Sequence, residues 1–202
     1  MARSYQMRKR AEARELTRDR IVKATMALHD EKGVAPTTFA DIAERAGVGP
    51  ATVARHFPTF GDLVRACGAH VWQEMRPPVP ETASAVFTGS RTTHERLVRL
   101  VGEVDAFYAR GALRLGLAAR DRDLVPELDG FLTAVEAGVN ALVREALANA
   151  GLPQRALEVA TALMSFPVWS AFDRLGLPQP EAMKLRTGFL ECAIGLTAKE
   201  TR

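Results

Sequence analysis

Apolar residues recur along most of this chain at intervals of three and four, the period of an α-helix, and no stretch alternates strictly as a half-buried strand does. Ile21, Ala24, Thr25 and Leu28 share one face of a first helix, which Thr17 is placed to cap and Gly33 to end, with Pro36 forbidding continuation. Thr38 opens a second helix with Asp41 three residues on, close to a capping box, and turns Phe39, Ile42, Ala43 and Ala46 inward. Gly47 supplies a turn and Val48 plugs the gap between helices. Gly49 at the N-cap and Pro50 at the first helical position start a third helix, with Val53 and Phe57 facing the core. Pro58 and Thr59 end that helix and cap a fourth, Phe60 to about Met75, with Leu63, Val64, Cys67, Val71 and Trp72 along one side. The run PPVP from Pro77 marks a break, and residues 77–90 read as a loop.

Everything beyond reads helical: Thr93 to Arg110, Gly111 to Arg120, Pro126 to Ala150, Pro153 to Leu175 and Pro180 to Ala198. Gly151-Leu-Pro153 and Gly176-Leu-Pro178 each set a capping glycine just before a proline, and Pro167 predicts a kink. The fold class is therefore all-α: an N-terminal three-helix bundle containing a helix-turn-helix, then a larger helical domain. Residues 1–15 form a basic arm or frayed helix extension, 16–75 the helix-turn-helix domain and 76–202 the second domain.

A chain of 202 residues can bury a real core as one domain or two small ones. No apolar run approaches the length of a membrane span, and the residues after Arg10 are AEAREL, so no secretory signal is expected. Cys67 and Cys192, far apart, read as free thiols of a reducing cytoplasm. The net charge of +3 is unevenly spread: residues 1–76 carry 13 Lys/Arg against 9 Asp/Glu, and residues 77–202 carry 14 against 15. The basic surplus sits with the helix-turn-helix, where a phosphate-binding module needs it.

From Thr37 to Phe57 two short helices flank a glycine-centred turn, and the second is small-faced and ends in basic residues, the pattern of a helix that lies in the DNA major groove. Thr52 and Arg55 lead the contact candidates, since arginine grips phosphate or binds guanine through two hydrogen bonds. Pro50 and Ala51 are small enough to approach thymine methyl groups. Thr38 is placed to bind phosphate at its helix N-terminus and to serve as a cap, and both roles can hold together. Arg45 near the turn, His56 at the domain edge and Thr59 at the start of the next helix complete the set.

The segment TRDRIVKATMALHDEKG, followed by TTFADIAERAGVGPATVARHFPTFGDL, closely resembles the tetracycline-repressor (TetR) family of transcriptional regulators over roughly a third of the chain. The match runs through Ile21, Ala24, Leu28, Gly33, Thr37, Thr38, Ile42, Ala43, Ala46, Gly47, Val48, Thr52, Arg55, Phe57, Thr59 and Leu63. The resemblance implies a divergent C-terminal domain that binds an effector and dimerises. The chain departs from the family pattern at Ala54, where a tyrosine usually contacts phosphate, at Phe60, where a lysine or arginine is common, at Gly61 in place of an acidic residue, and at His29 in place of an aromatic. Two customary backbone contacts are therefore missing, and the arm arginines are the candidates for replacement charge.

In the second domain Phe107, Phe131, Met164, Phe166 and Trp169 are the candidate ligand-lining residues, and the Pro167 kink favours the last two. Leu185, Gly188, Phe189, Cys192 and Gly195 on the final helix combine a stripe of small residues with apolar flanks, which suits a symmetric dimer face. Cys67 and His70 lie three apart, but no further ligand stands beside them, so no metal is expected. No nucleophile–base pair and no glycine-rich phosphate loop is present, so no enzyme and no cofactor is expected. The chain reads as a homodimeric, cytoplasmic repressor that binds double-stranded operator DNA and is released by a small-molecule effector, with no membrane partner. The alternative is a helical small-molecule carrier whose DNA binding is weak or lost.

Overall fold

The computed structural model describes residues 2–196, with side chains from Tyr5 onward. Among the described residues ten α-helices follow in order: α1 (Ala2–Lys32), α2 (Phe39–Ala46), α3 (Pro50–His56), α4 (Phe60–Met75), the single turn α5 (Ala83–Val86), α6 (Thr93–Asp121), α7 (Pro126–Ala146), α8 (Gln154–Leu163), α9 (Phe166–Asp173) and α10 (Gln179–Ala193). No strand occurs among the described residues. The chain forms two compact units. The first takes in the described residues up to Glu74 together with Gly116–Phe131; the second takes in Met75–Leu115 and the described residues from Leu132 on.

The first unit, the head, is built around Ile21, Val22, Leu28, Ile42, Ala46, Val53, Phe57, Leu63 and Cys67, all buried. Helices as short as α2 and α3 are not stable alone, so their buried faces hold them. Local chemistry fixes where they start and stop. Thr38 and Asp41 form a complete capping box, and Gly47 adopts the left-handed conformation (φ 62°) that a side chain would strain. Pro50 occupies the first turn of α3, where no intrahelical donor is needed. A second capping box starts α4: the Thr59 hydroxyl donates to Asp62 (2.7 Å) and the Asp62 N–H donates back to it (3.1 Å). Lys32 bonds Asp41 at 2.7 Å and, with Thr38, holds that carboxyl down at about 2.

The start of α1 takes the second of the two expected forms, a helix extension. Residues 5–15 are not a separate arm but four-residue-bonded helix continuous with the rest, because AEAREL and its flanks are good helix formers with no glycine or proline between them. Thr17 is accordingly no cap; its hydroxyl donates to the Ala13 carbonyl in mid-helix (2.9 Å). The Arg3 side chain lies outside the described residues.

The second unit packs Leu97, Val101, Val104, Phe107 and Leu115 of α6 with Val135, Val139, Leu142 and Val143 of α7 in its buried core. Gly111 does not divide α6, as the sequence reading had it. A Cβ there would strike the buried Met75 side chain, so this glycine admits a neighbour and the helix runs through it. Helix α7 stops at Ala146, short of Ala150, where Arg96 donates to the Ala146 carbonyl (3.0 Å) and to the Glu145 carboxylate (3.1 Å). The kink expected at Pro167 is a full break: Met164 and Ser165 leave the helix, and Pro167 falls in the first turn of α9. Helix α10 ends at Ala193, so Gly195 (φ 77°) belongs to the turn beyond and not to a helical stripe. Thr197 and Ala198 lie outside the described residues.

Candidate nucleic-acid interface

Helix α3 stands with one face in the head and the other in solvent. Val53 and Phe57, four apart, are fully buried and fix its rotation. Pro50, Ala51, Ala54 and Arg55 then fall on the exposed side, with Thr52 and His56 half-buried at its edges. These are the residues that the sequence reading left for the outer surface of α3 or its edges.

Beside it lies a concave surface of about 590 Å³ lined by Thr52, Arg55 and His56 of α3, by Val48 of the turn, and by Arg10, Ala13, Arg14, Thr17 and Arg20 of α1. Four arginines face this cleft and no carboxylate lines it. None of the four pairs with a described residue, whereas Arg8, off the cleft, sits 3.7 Å from Glu12. Partial burial, then the charges of Arg14 and Arg55, hold the His56 imidazole below its ordinary value, so the ring is largely neutral at pH 7.

The other predicted contacts carry structural duties. The Thr38 and Thr59 hydroxyls are engaged in their capping boxes. Both Arg45 guanidinium nitrogens bond the Glu31 carboxylate at 2.7 Å, a bidentate pair on the head surface. Three of the four departures from the pattern that the sequence resembles have packing reasons. Phe60 meets His29 edge-on (6.4 Å) and Phe39 at 6.2 Å, so it extends the head core. Burial lowers the His29 pKa to about 4, which keeps the ring neutral against that core. Gly61 leaves room for the Glu127 carboxylate, which Arg65 grips at 3.1 Å in place of an acidic residue at position 61. Ala54 has no such substitute and is simply exposed.

Of the ligand candidates, Phe107, Met164 and Trp169 are buried in the second unit, where Tyr108 joins them. Tyr108 packs on Phe107 (5.1 Å), Phe166 (5.4 Å) and Trp169 (5.7 Å), and its hydroxyl donates to the Met164 carbonyl (3.1 Å). Phe131 instead packs edge-on against Trp72 (5.8 Å) in the first unit. On α10, Leu185, Gly188, Phe189 and Cys192 line a shallow apolar groove of about 490 Å³ together with Glu181 and Lys184. Phe189 is 55% exposed there. Cys67 is buried, its thiol pushed up to about 12 by desolvation, while His70 points to solvent, so the two do not form a pair. No group of three or more His, Cys, Asp or Glu that could hold a metal occurs among the described residues. No helix among them is long and apolar enough to cross a membrane.

Sequence reasoning missed Arg20, and it treated Arg10 and Arg14 only as diffuse arm charge. Their spacing with Ala13 and Thr17 places all five on one helical face, a signal that becomes readable once α1 is known to be continuous.

Residues 21–67 match the family described as bacterial regulatory proteins, tetR family. A curated relative, an uncharacterized HTH-type transcriptional regulator of Mycobacterium tuberculosis, is 28% identical over 197 residues, covering 94% of this chain and 96% of its own. Among solved structures, a TetR-family regulator from Rhodococcus sp. aligns over 88% of this chain and 98% of its own, with 20% identity and a TM-score of 0.55. The TetR-like regulator LfrR from Mycobacterium smegmatis, solved in complex with proflavine, aligns over 90% and 98% with 26% identity and a TM-score of 0.50.

Proposed function

We propose that this chain, a member of the TetR family of bacterial transcriptional regulators, is a homodimeric repressor that a small molecule releases from its operator. One observation carries the DNA-reading part: Pro50, Ala51 and Arg55 lie exposed on a short helix whose opposite side is locked into the head core by Val53 and Phe57. Each subunit sets α3 in a major groove, with the two helices about 34–36 Å apart on a pseudo-palindromic site. Thr52 and Arg55 read or grip the DNA, Pro50 and Ala51 permit the approach, and His56 lines the edge.

Arg55→Ala is expected to weaken binding to DNA flanking the protein's own gene tenfold or more, since a good arginine–guanine pair discriminates by about 1–3 kcal/mol. Fluorescence anisotropy measures this. A wild-type protein with no preference for that DNA over an unrelated duplex would support the carrier reading, which the missing tyrosine at Ala54 favours.

The apolar groove on α10 is the proposed dimer face. A Cβ at Gly188 meets nothing within 4 Å in the monomer, so Gly188→Glu tests the face without disturbing the fold. Sedimentation is expected to show monomers at concentrations where the wild type is paired, with operator affinity falling in parallel. An unaltered profile places the interface elsewhere.

Effector binding is assigned to the second unit, near Phe107, Met164, Phe166 and Trp169; the complex of LfrR with proflavine supports a small-molecule effector for this chain. An effector shifts the DNA-binding equilibrium only by its difference in affinity for the two conformations, so operator DNA weakens effector binding by the same factor. Helix α4 is the proposed lever.

A further inference from the structure

The extension of α1 creates a binding surface that the helix-turn-helix alone does not have. Arg10, Arg14 and Arg20 project from one face of α1 into the same cleft as Arg55 and Thr52 of α3. All three α1 arginines are solvent-exposed and none pairs with a described residue, so their charge is uncompensated where the cleft opens. Of the carboxylates in this part of α1, Glu12 sits beside Arg8 and neither Glu15 nor Asp19 lines the cleft; Glu15 stands near enough to His56 to act on its ring, one negative charge against four arginines. The cleft is open to solvent, with the small residues Ala13 and Thr17 between the arginines on the α1 side. That shape and sign suit an extended polyanion, not a compact apolar ligand.

We infer that the cleft between α1 and α3 is a phosphodiester clamp, in which Arg10, Arg14 and Arg20 hold the DNA strand flanking the groove that α3 enters. The inference rests on the DNA-binding reading above and adds residues to it. It also accounts for Ala54: the phosphate contact missing from the exposed face of α3 is replaced from a different helix. Contacts of this kind position the protein and carry no sequence information, so they act equally on operator and unrelated DNA. A rigid helix holds the guanidiniums in register, where a mobile arm would lose side-chain and backbone freedom on binding.

The test uses the full chain and a mixed-sequence duplex of about 30 base pairs, with affinity measured by anisotropy across a range of salt concentration. Each lost phosphate contact lowers the slope of log affinity against log salt by about 0.9. The double variant Arg10→Gln, Arg14→Gln is expected to lower that slope by about 2 for every head engaged, and to weaken binding to operator and mixed-sequence DNA by the same factor. The charge-conserving pair Arg10→Lys, Arg14→Lys is expected to retain the slope. Glutamine is a good helix former and both positions are exposed, so helical circular dichroism and the melting temperature stay unchanged. A wild-type slope in the glutamine variant overturns the clamp and leaves the major-groove reading standing. A slope lost equally in the lysine variant overturns it too, because charge is then not the cause. Wild-type protein with no salt-dependent affinity for any duplex overturns both proposals together.

Discussion

Phe57→Ala is expected to unfold the head more readily than any other single truncation of its DNA-reading side, by about 3–5 kcal/mol. The Phe57 ring is 2% exposed and lies in the cluster with Val53, Ile21 and Leu63. The Arg18 guanidinium covers its other face at 4.9 Å, a cation–π contact that adds about 0.5–1 kcal/mol at a partly exposed site. Phe57 also ends α3, its N–H donating to the Val53 carbonyl. Since α3 has only seven residues, its helical state depends on this anchor and on Val53. Chemical denaturation followed by circular dichroism is expected to show an early loss of head structure, and operator binding is expected to vanish with it. Phe57→Leu, which keeps an apolar group of similar reach, is expected to recover most of the loss. An unshifted transition in the alanine variant would mean that α3 is held by something other than its buried face.

What could be read from the sequence was what is decided within a few residues. The capping box at Thr38, the cap at Thr59, the left-handed Gly47 and the first-turn Pro50 each act within one helical turn, and the structure has all four where the sequence placed them. Burial by three-and-four spacing located Ile42, Val53 and Phe57 equally well, because a short helix offers one inward face. The misreadings share a different cause. Gly111 looks like a breaker until Met75, distant in sequence, is found against it. Gly61 looks like a lost acidic contact until Glu127 is seen to supply one. The α1 arginines look like scattered charge as long as the helix is assumed to begin at Thr17. Each depends on a partner tens of residues away or on an element whose start no local signal marks. The same holds for Gly116–Phe131, which falls in the head although nothing in its pattern connects it with residues near Val34.

That connection is made by Asp121, and its removal is expected to produce the second large effect. The Asp121 side chain, 4% exposed, accepts the backbone N–H groups of Val34 (2.8 Å) and Ala35 (3.0 Å), and it is gripped by Arg120 Nε at 2.8 Å. The two amides belong to the loop between α1 and α2, which no helix can satisfy, so the carboxylate replaces the missing backbone partners. Asp121→Ala leaves the buried Val34 and half-buried Ala35 donors without a partner and is expected to cost about 2–4 kcal/mol, the range for unmade hydrogen bonds to a charged group. The Arg120 hydrogen bond first, and the two backbone donors after it, hold the Asp121 pKa below the ordinary aspartate value of 3.8. A carboxyl lowered on folding stabilises fully above 3.8 and loses that contribution as pH falls through its folded-state value. The gap in stability between wild type and Asp121→Ala is therefore expected to be constant from pH 7 down to about 5 and to close at lower pH, as protonation does to the wild type what the substitution does outright. Urea titrations at pH 7 and pH 3 measure both ends. A gap that persists unchanged at pH 3 would assign the loss to packing around the 121 side chain, and a gap absent at pH 7 would mean that the Val34–Ala35 loop finds other partners when the carboxylate is gone.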